Sequence, residues 1–301
     1  YDDLIKYDYD LNSIIDLFKN KPLDFNPGER YIYSNSGYVL LAFIIERISG
    51  MQYGTFLQKE IFNPLGLLNT GVDNNSEIIE NRARGYMFNS SGSLSNADYV
   101  NMSIKIGGGS LFSTSEDLNT FIQSLLSKDL LVNTLNELPN FNEREGEPVF
   151  VASGRVQGFC HQITHRLNSN NTIMVLGNHY SNLALPISDD IYRIYSGKRY
   201  DIPQNYLAQE IEIPIEELKG YEGFYDFGFG PVRKLQIKGK SLTYGAKDQE
   251  SSDKLIPIGE NRFFYIQYWV ILEFRNKSDG EYKTLDWVMG KSRYPAERLK
   301  N

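Results

Sequence analysis

Hydrophobic residues follow two different rhythms along the chain. Up to about residue 200, they recur at helical spacing and in short continuous runs. After about residue 210, they alternate with polar residues in short segments separated by glycine-containing turns. Residues 200–205 have the polar and proline content of a connection, which places a boundary near residues 201–210. The pattern predicts two domains, residues 1–200 and residues 210–301.

The clearest helix of the first half is predicted to begin near residue 35. Asn35 or Ser36 can cap its first turn, and Gly50 stands where a left-handed stop is favoured. We expect one stripe of the helix to be buried, formed by Leu41, Ile44, Ile45 and Ile48. A second helix is predicted after the capping box that begins at Ser113.

Strands are predicted in both halves of the chain. In the first half they are Val149–Ala152, Phe159–Leu167 and Thr172–Gly177, so that this half mixes α and β structure. The second half contains five alternating segments: Val232–Ile237, Ser241–Gly245, Arg262–Ile266, Trp269–Arg275 and Lys283–Met289. Short antiparallel strands at this spacing predict a small barrel or sandwich.

Composition and charge exclude several classes of protein. With 41% hydrophobic and 23% charged residues in 301, the chain has the composition of a folded globular protein. Its net charge of -7 and its lack of a basic run argue against a nucleic-acid partner. The most apolar window, residues 38–48, is too short to span a membrane and contains Glu46. Oligomeric state stays open.

Cysteine and histidine are scarce, so no metal and no cofactor are expected. Cys160 is alone, which excludes an internal disulfide or a multi-cysteine site. His161 and His165 have a spacing that suits a metal on a helix. In the predicted strand the same spacing separates them by about 13 Å, which makes chelation by this pair unfavourable.

Four sequence blocks occur in an order that resembles one known family. The first runs from Pro22 to Tyr38 and includes Tyr33-Ser34-Asn35, and the next are Ile61–Leu67 with Thr70, Gly107–Leu118, and Ser153-Gly154 with Gly158-Phe159. Together they cover roughly residues 20–180. They resemble the serine β-lactamase and penicillin-binding-protein-like family, in the branch of class C β-lactamases, D-Ala-D-Ala carboxypeptidases and esterases. The resemblance implies that family's mixed α/β (α+β) fold.

The resemblance implies catalytic roles for Tyr33 and Asn35. Tyr33 would take the proton of an attacking serine, which requires a nearby cation to lower the pKa of its phenol from about 10. Asn35 would orient a lysine or the substrate amide. The alternative is structural: Tyr33 is a core tyrosine and Asn35 a helix cap.

The nucleophile is not found where the family has it. The family's serine lies in a Ser-x-x-Lys motif upstream of the tyrosine, and no such motif precedes Tyr33. The literal match Ser251-Ser252-Asp253-Lys254 lies in a polar loop and is interpreted as a turn. We therefore expect the chain to be truncated at its N-terminus, without the first strand and the serine helix, and to be inactive alone.

The third motif of the family, Lys-Thr-Gly or His-x-Gly, corresponds to Ala152-Ser153-Gly154. The basic or imidazole side chain is therefore replaced by Ala152. Ser153 and Gly154 are expected to bind substrate, and the backbone N–H of Arg155 to contribute to an oxyanion hole. The Arg155 side chain either replaces the lost charge or faces solvent.

These motifs predict a serine hydrolase that acts through an acyl-enzyme on a small-molecule or peptide substrate, as a peptide, amide or ester. One alternative is a catalytically silent member that binds peptidoglycan-like or other small ligands. Another places the function in the second domain, because Glu217–Tyr225 resembles the opening of a lipocalin-like β-domain. By family resemblance the protein is expected in the periplasm or outside the cell.

Overall fold

Helices contain more residues than strands in the first part of the chain. The structure is a computed structural model that describes residues 4–89, 92–127, 140–200, 202, 204–228, 230–248 and 253–299. Its α-helices are α1 Leu11–Asp16, α2 Asn35–Ser49, α3 Tyr53–Leu57, α4 Asn63–Leu65, α5 Ser115–Ser127, α6 Ala184–Tyr195 and α7 Ile215–Leu218. A π-helical turn, Gln58–Phe62, joins α3 to α4, and short 3₁₀ helices occupy Leu4–Lys6, Met102–Lys105, Tyr206–Gln209 and Lys219–Tyr221.

Three small sheets accompany these helices. Strand β1 Gly71–Val72 pairs with β4 Leu111–Phe112, and β2 Tyr86–Phe88 pairs with β3 Leu94–Asn96. The third sheet has the order β5-β6-β7-β8. Its strands are β5 Phe141–Arg144, β6 Glu147–Val156, β7 Phe159–Arg166 and β8 Asn171–Gly177. The predicted mixture of α and β structure is confirmed.

The chain after residue 222 forms a nine-stranded antiparallel sheet that is nearly closed. In chain order its strands are β9 Gly223–Asp226, β10 Arg233–Lys238, β11 Ser241–Ala246, β12 Asp253–Lys254, β13 Ile256–Gly259, β14 Arg262–Tyr265, β15 Val270–Ser278, β16 Glu281–Met289 and β17 Ser292–Arg298. The two edge strands are β12 and β13. Because only Leu255 separates them in the chain, the edges of the sheet come together. Of the two predicted alternatives, a small barrel or a sandwich, the sheet is therefore barrel-like.

Aromatic and aliphatic side chains fill the barrel. Phe263, Leu272, Phe274 and Leu285 are fully buried in one cluster. The rings of Tyr221 and Phe274 lie 4.8 Å apart edge to face, an arrangement that favours a close-packed interior. These aromatics therefore pack with one another in the interior of the barrel.

Contacts divide the chain into two compact units. One comprises Tyr1–Ala83, Asp98–Phe150 and Arg166–Thr172, and the other comprises Arg84–Ala97, Val151–His165 and Ile173–Asn301. The second unit therefore combines the barrel with segments of the first half. The two domains 1–200 and 210–301 remain a prediction.

The burial predicted for helix α2 is wrong for most of its stripe. Val39 and Ala42 face the core, whereas Leu41 is 55% and Ile48 84% exposed. Leu41 lies two residues after Val39, which is about 200° around the helix axis. Apolar residues occur on both sides of this helix, so periodicity alone selects the wrong side. The exposed face, named the α2 stripe, consists of Leu40, Leu41, Ile44 and Ile48.

Within the described residues, none of the helices has the length and apolar character that crossing a membrane requires.

Replacing Leu285 by alanine should destabilise the barrel by about 2–5 kcal/mol, because it leaves a cavity among fully buried neighbours. Both tryptophans of the chain, Trp269 and Trp287, lie in the barrel, so their fluorescence during urea unfolding reports this unit. The matched control is Leu299→Ala at a residue that is 36% exposed, which should cost less than about 1 kcal/mol. Equal midpoints for both variants would contradict the packed core.

Candidate functional site

Ser34 caps helix α2 and thereby releases the side chain of Asn35. The Ser34 hydroxyl accepts a hydrogen bond from the backbone N–H of Gly37 at 3.1 Å, so the cap predicted at Asn35 or Ser36 is wrong. Asn35 is the first helical residue, and its Oδ1 accepts a hydrogen bond from the Tyr33 hydroxyl at 3.0 Å. The structure thus brings the two predicted catalytic residues together. Asn35 does not serve as the cap.

A glycine-rich loop packs against the first turn of α2. Gly107 has φ +74°, and a Cβ on it would lie 2.4 Å from the carbonyl oxygen of Tyr38. A Cβ on Gly108 would lie 3.4 Å from Asn35 Oδ1. A side chain at Gly107 would clash with the backbone of the helix, whereas one at Gly108 would lie in contact with the Asn35 amide. The glycine block therefore acts as a close-packed support for Tyr33 and Asn35.

Two other sequence blocks hold the start of helix α5. The carboxylate of Asp117 accepts hydrogen bonds from the backbone N–H of Asn69 and from the Thr70 hydroxyl, both at 2.7 Å. The hydroxyls of Thr70 and Ser113 also lie 2.7 Å apart. Asp117 is 7% exposed, so these bonds compensate the burial of its charge. These hydrogen bonds therefore stabilise the start of helix α5.

The surroundings of Tyr33 keep its phenol protonated at neutral pH. Partial burial raises the pKa of Tyr33, and the neighbouring Tyr38 and Tyr31 raise it further. Tyr33 is still 57% exposed and its ring lies 5.5 Å from that of Tyr38. A general base needs the opposite shift. A cation beyond these neighbours is required to lower the pKa.

Strand β6 carries the three residues that correspond to the third motif. Ser153 and Arg155 are exposed, whereas Ala152 and Gly154 are half-buried. Since side chains alternate along a strand, Ser153 and Arg155 share one face of the sheet, and Ala152 and Gly154 share the other. Strand β5 pairs with β6 as far as Phe150, the partner of Phe141.

His161 lies beside this motif, which the sequence analysis did not foresee. A two-residue turn, Gln157-Gly158, connects β6 to β7 and places Gly154 opposite His161. A Cβ on Gly154 would lie 2.6 Å from His161 Cε1, so the imidazole occupies the space above this glycine. His161 therefore shares a sheet face with Ala152. Desolvation by this packing lowers the pKa of His161 and favours the neutral imidazole. The two-residue turn pairs residues at equal distances on either side of it, so it could have predicted from the sequence that His161 lies opposite Gly154.

The histidine pair and the literal Ser-x-x-Lys match were the other candidates, and the described residues give neither of them a functional site. His165 lies on the same strand as His161 and is buried. Among the described residues, no three His, Cys, Asp or Glu side chains are grouped to hold a metal ion. Ser251 and Ser252 lie outside the described residues, and Asp253 and Lys254 form strand β12, where Asp253 accepts a hydrogen bond from the buried Tyr265 hydroxyl.

Arg155 is held by aromatic rings. Its guanidinium carbon lies 4.9 Å from the ring centre of Tyr268 and 5.5 Å from that of Tyr180. These distances are those of cation–π contacts. Arg155 is therefore exposed to solvent, as one of the two alternatives predicted, and the two rings limit the orientation of its side chain.

The similarity to known proteins covers different shares of the chain. Serine beta-lactamase-like protein LACTB, mitochondrial, of Homo sapiens is 46% identical over 110 residues, which are 36% of this chain and 20% of that protein. Penicillin-binding protein 4* of Bacillus subtilis (strain 168) is 28% identical over 299 residues, covering 87% of this chain and 65% of that protein. The chain thus spans one fifth of the first relative and less than two thirds of the second.

Solved structures with the same fold include the octameric penicillin-binding protein homologue from Pyrococcus abyssi. It has a TM-score of 0.55 at 20% identity, over 95% of this chain and 69% of that one. The family model described as Beta-lactamase matches residues 1–159, more than half of the chain. The chain therefore belongs to the β-lactamase family of serine hydrolases and DD-peptidase-like proteins.

Proposed function

We propose that the full-length protein is a serine hydrolase that acts through an acyl-enzyme on a peptide, amide or ester. In this proposal a segment that precedes the chain supplies the nucleophilic serine and the lysine of a Ser-x-x-Lys motif. Tyr33 transfers the proton and Asn35 orients its partners. The observation that carries the proposal is the 3.0 Å hydrogen bond between the Tyr33 hydroxyl and Asn35 Oδ1 at the start of helix α2.

The chemistry of these residues supports a proton shuttle. A serine hydroxyl must lose its proton as it attacks a carbonyl, and a phenolate stabilised by a lysine can accept that proton. The resulting phenol then protonates the leaving group, which regenerates the phenolate. When water attacks the acyl-enzyme, the phenolate accepts a proton from the water and returns it to the serine oxygen as the acyl bond breaks. The Asn35 amide has both a donor and an acceptor, so it can pair with either state of Tyr33.

Two exposed groups support a contribution from a preceding segment. Tyr31, Ile32 and Tyr33 lie before helix α2 and are 72%, 51% and 57% exposed. The α2 stripe adds four further exposed apolar residues on the helix itself. An amphipathic helix that covers this surface would bury apolar area and bring a cation near Tyr33. The length of the relatives beyond this chain is consistent with such a segment.

We assign substrate binding to Ser153, Gly154 and Arg155. The Ser153 hydroxyl and the backbone N–H of Arg155 are donors suited to a carbonyl oxygen that becomes negatively charged. A side chain on Gly154 would point to the opposite sheet face, which His161 covers, so Gly154 would contribute to this site only through its backbone. A location in the periplasm or outside the cell belongs to the same proposal and rests on the family resemblance.

A catalytically silent relative that binds a ligand is the second candidate. Two observations favour it: Ala152 provides no charge at the third motif, and the pKa of Tyr33 is raised rather than lowered. The barrel as a separate ligand-binding module has less support. Its central aromatic residues, such as Phe263 and Phe274, are fully buried against one another.

The full-length protein should form a covalent adduct with a fluorophosphonate or a fluorescent penicillin. Tyr33→Phe should slow this acylation by about 10²- to 10⁴-fold, because it removes the proton acceptor. Labelling is followed by gel fluorescence and by the mass of the intact protein. Tyr31→Phe is the matched control, since this neighbour is also exposed and should label at the normal rate.

A full-length sequence without Ser-x-x-Lys, or a protein with neither labelling nor esterase activity, would contradict hydrolysis and favour the silent relative. Normal labelling of the Tyr33→Phe variant would remove Tyr33 from the mechanism.

The 301-residue chain alone should not turn over a chromogenic ester, because Tyr33 stays protonated at neutral pH. Its phenol should titrate above pH 10 when followed by NMR of ¹³Cζ-labelled tyrosine, with Tyr33→Phe used for assignment among 21 tyrosines. Ester turnover by this chain, or a Tyr33 pKa near neutrality in it, would show that the activating cation is already present.

A further inference from the structure

A buried tyrosine of the barrel is hydrogen-bonded to a carboxylate. The Tyr265 hydroxyl donates to Asp253 Oδ2 at 2.5 Å, and the side-chain amide of Gln267 donates to Asp253 Oδ1 at 3.0 Å. Tyr265 is 2% exposed, and burial together with the neighbouring carboxylate raises the pKa of its phenol well above the usual value. The phenol is therefore protonated at neutral pH, and a proton acceptor already touches it.

A tryptophan and two further tyrosines surround this pair. The ring centre of Tyr265 lies 5.1 Å from that of Tyr244 and 5.1 Å from that of Tyr268. The Trp287 ring lies 6.0 Å from that of Tyr265, and its distances to Tyr244 and Tyr268 are 5.8 and 5.6 Å. Trp287 therefore contacts all three tyrosines. We name these four rings, together with Asp253, the tyrosine–tryptophan cluster.

Contact between these rings favours electron transfer from a tyrosine to an oxidised tryptophan. Both kinds of side chain can lose one electron, and rings in contact exchange electrons faster than rings farther apart. A phenol that loses an electron becomes a very strong acid, so the transfer is rapid only where the hydroxyl proton has an acceptor. Asp253 is such an acceptor for Tyr265, because a charge-assisted hydrogen bond already joins them.

The cluster is connected to a residue that reaches the solvent. The Tyr180 ring lies 5.5 Å from that of Tyr268, and the two hydroxyl oxygens are 3.5 Å apart. Tyr180 is partly exposed, in contrast to the buried Tyr265. A continuous series of ring contacts therefore leads from the buried pair, through Tyr268, to the outside.

We propose that the tyrosine–tryptophan cluster is a radical-transfer site in which Tyr265 is the redox-active residue and Asp253 its proton acceptor. A one-electron oxidant, of the class of radicals formed from peroxides, takes an electron from Trp287 and leaves the indole radical cation. Tyr265 then gives an electron to Trp287 and its hydroxyl proton to Asp253. The products are a neutral indole, a tyrosyl radical and a carboxylic acid. This inference goes beyond the proposed function and does not depend on it.

A reductant in solution completes the cycle. A thiol or ascorbate supplies one electron through Tyr180 and Tyr268 and releases its own proton to water. The tyrosyl radical of Tyr265 accepts this electron, and Asp253 returns the proton to the phenol. Oxidising equivalents that reach the barrel thereby collect at one tyrosine, from which they are removed.

Pulse radiolysis of the 301-residue chain tests this proposal. The probe is the azide radical, which oxidises indoles in preference to phenols at neutral pH. The absorption of the tryptophyl radical should decay while that of the tyrosyl radical grows, with one rate that is independent of protein concentration. This phase should disappear in Trp287→Phe. It should persist in the matched control Trp269→Phe, because Trp269 packs against the rings of Phe88 and Phe264 instead.

Three further variants separate the proton acceptor from ring packing. Asp253→Asn should slow the growth of the tyrosyl radical about tenfold or more, because it replaces a hydrogen bond to a charged acceptor by one to a neutral amide. Asp253→Glu keeps the carboxylate and should restore most of the rate. Tyr282→Phe removes a buried hydroxyl from a ring that stacks on Tyr221 at 4.5 Å, and it should leave the rate unchanged.

Urea unfolding followed by tryptophan fluorescence verifies that each variant is folded. Decay of the tryptophyl radical without matching growth of the tyrosyl radical, or a rate that rises with protein concentration, would overturn the proposal. A normal rate in Asp253→Asn would exclude Asp253 as the proton acceptor, and a normal rate in Trp287→Phe would exclude this cluster as the route. None of these outcomes alters the labelling test of acylation.

Discussion

The hydrogen bond between the Ser34 hydroxyl and the Gly37 N–H determines what the neighbouring residues can do. A helix start needs an acceptor for its free N–H groups, and Ser34 meets that need. Asn35 can therefore pair with the Tyr33 hydroxyl instead of closing the helix. Gly107 then allows a loop to approach this turn more closely than a residue with a side chain would permit. The arrangement depends on one cap and one glycine.

Electrostatics limit what this arrangement achieves by itself. Burial and neighbouring phenols all raise the pKa of Tyr33, so the hydroxyl donates to Asn35 and holds its proton. A catalytic role requires a positive charge close to the oxygen, and the relatives extend well beyond the region that matches this chain. The exposed α2 stripe and the exposed Tyr31 provide an apolar surface on which further chain can pack. In the proposed function, one further segment would both cover this surface and bring the cation.

Local patterns predicted much of the fold and part of the site. The glycine turn at Ser278-Asp279-Gly280 and the alternation around it predicted the β15–β16 hairpin, because Asp279 and Gly280 adopt the positive φ angles that such a turn needs. The strand β17 was missed although it forms a hairpin with β16, because Pro295 and its charged residues hide the alternation of a strand. Long-range closure of the barrel lies outside what alternation can predict.

In the candidate site, too, contacts between residues close in sequence were predictable and contacts between distant residues were not. Tyr33 and Asn35 are two residues apart, so the motif was enough to pair them. His161 and Tyr268 reach the third motif through a hairpin and through the barrel loop, and only three-dimensional contacts reveal them. Leu41 was assigned to the core because helical periodicity shows that an apolar face exists but not which neighbour covers it.

The most direct test of this account is the pKa of the Tyr33 phenol in the full-length protein, read from the ¹³Cζ resonance of that residue. A lysine from the preceding segment should lower it from above 10 towards neutrality, and replacing that lysine by methionine should restore the high value. A Tyr33 pKa that stays above 10 in the intact protein would contradict the role of this residue as the catalytic base.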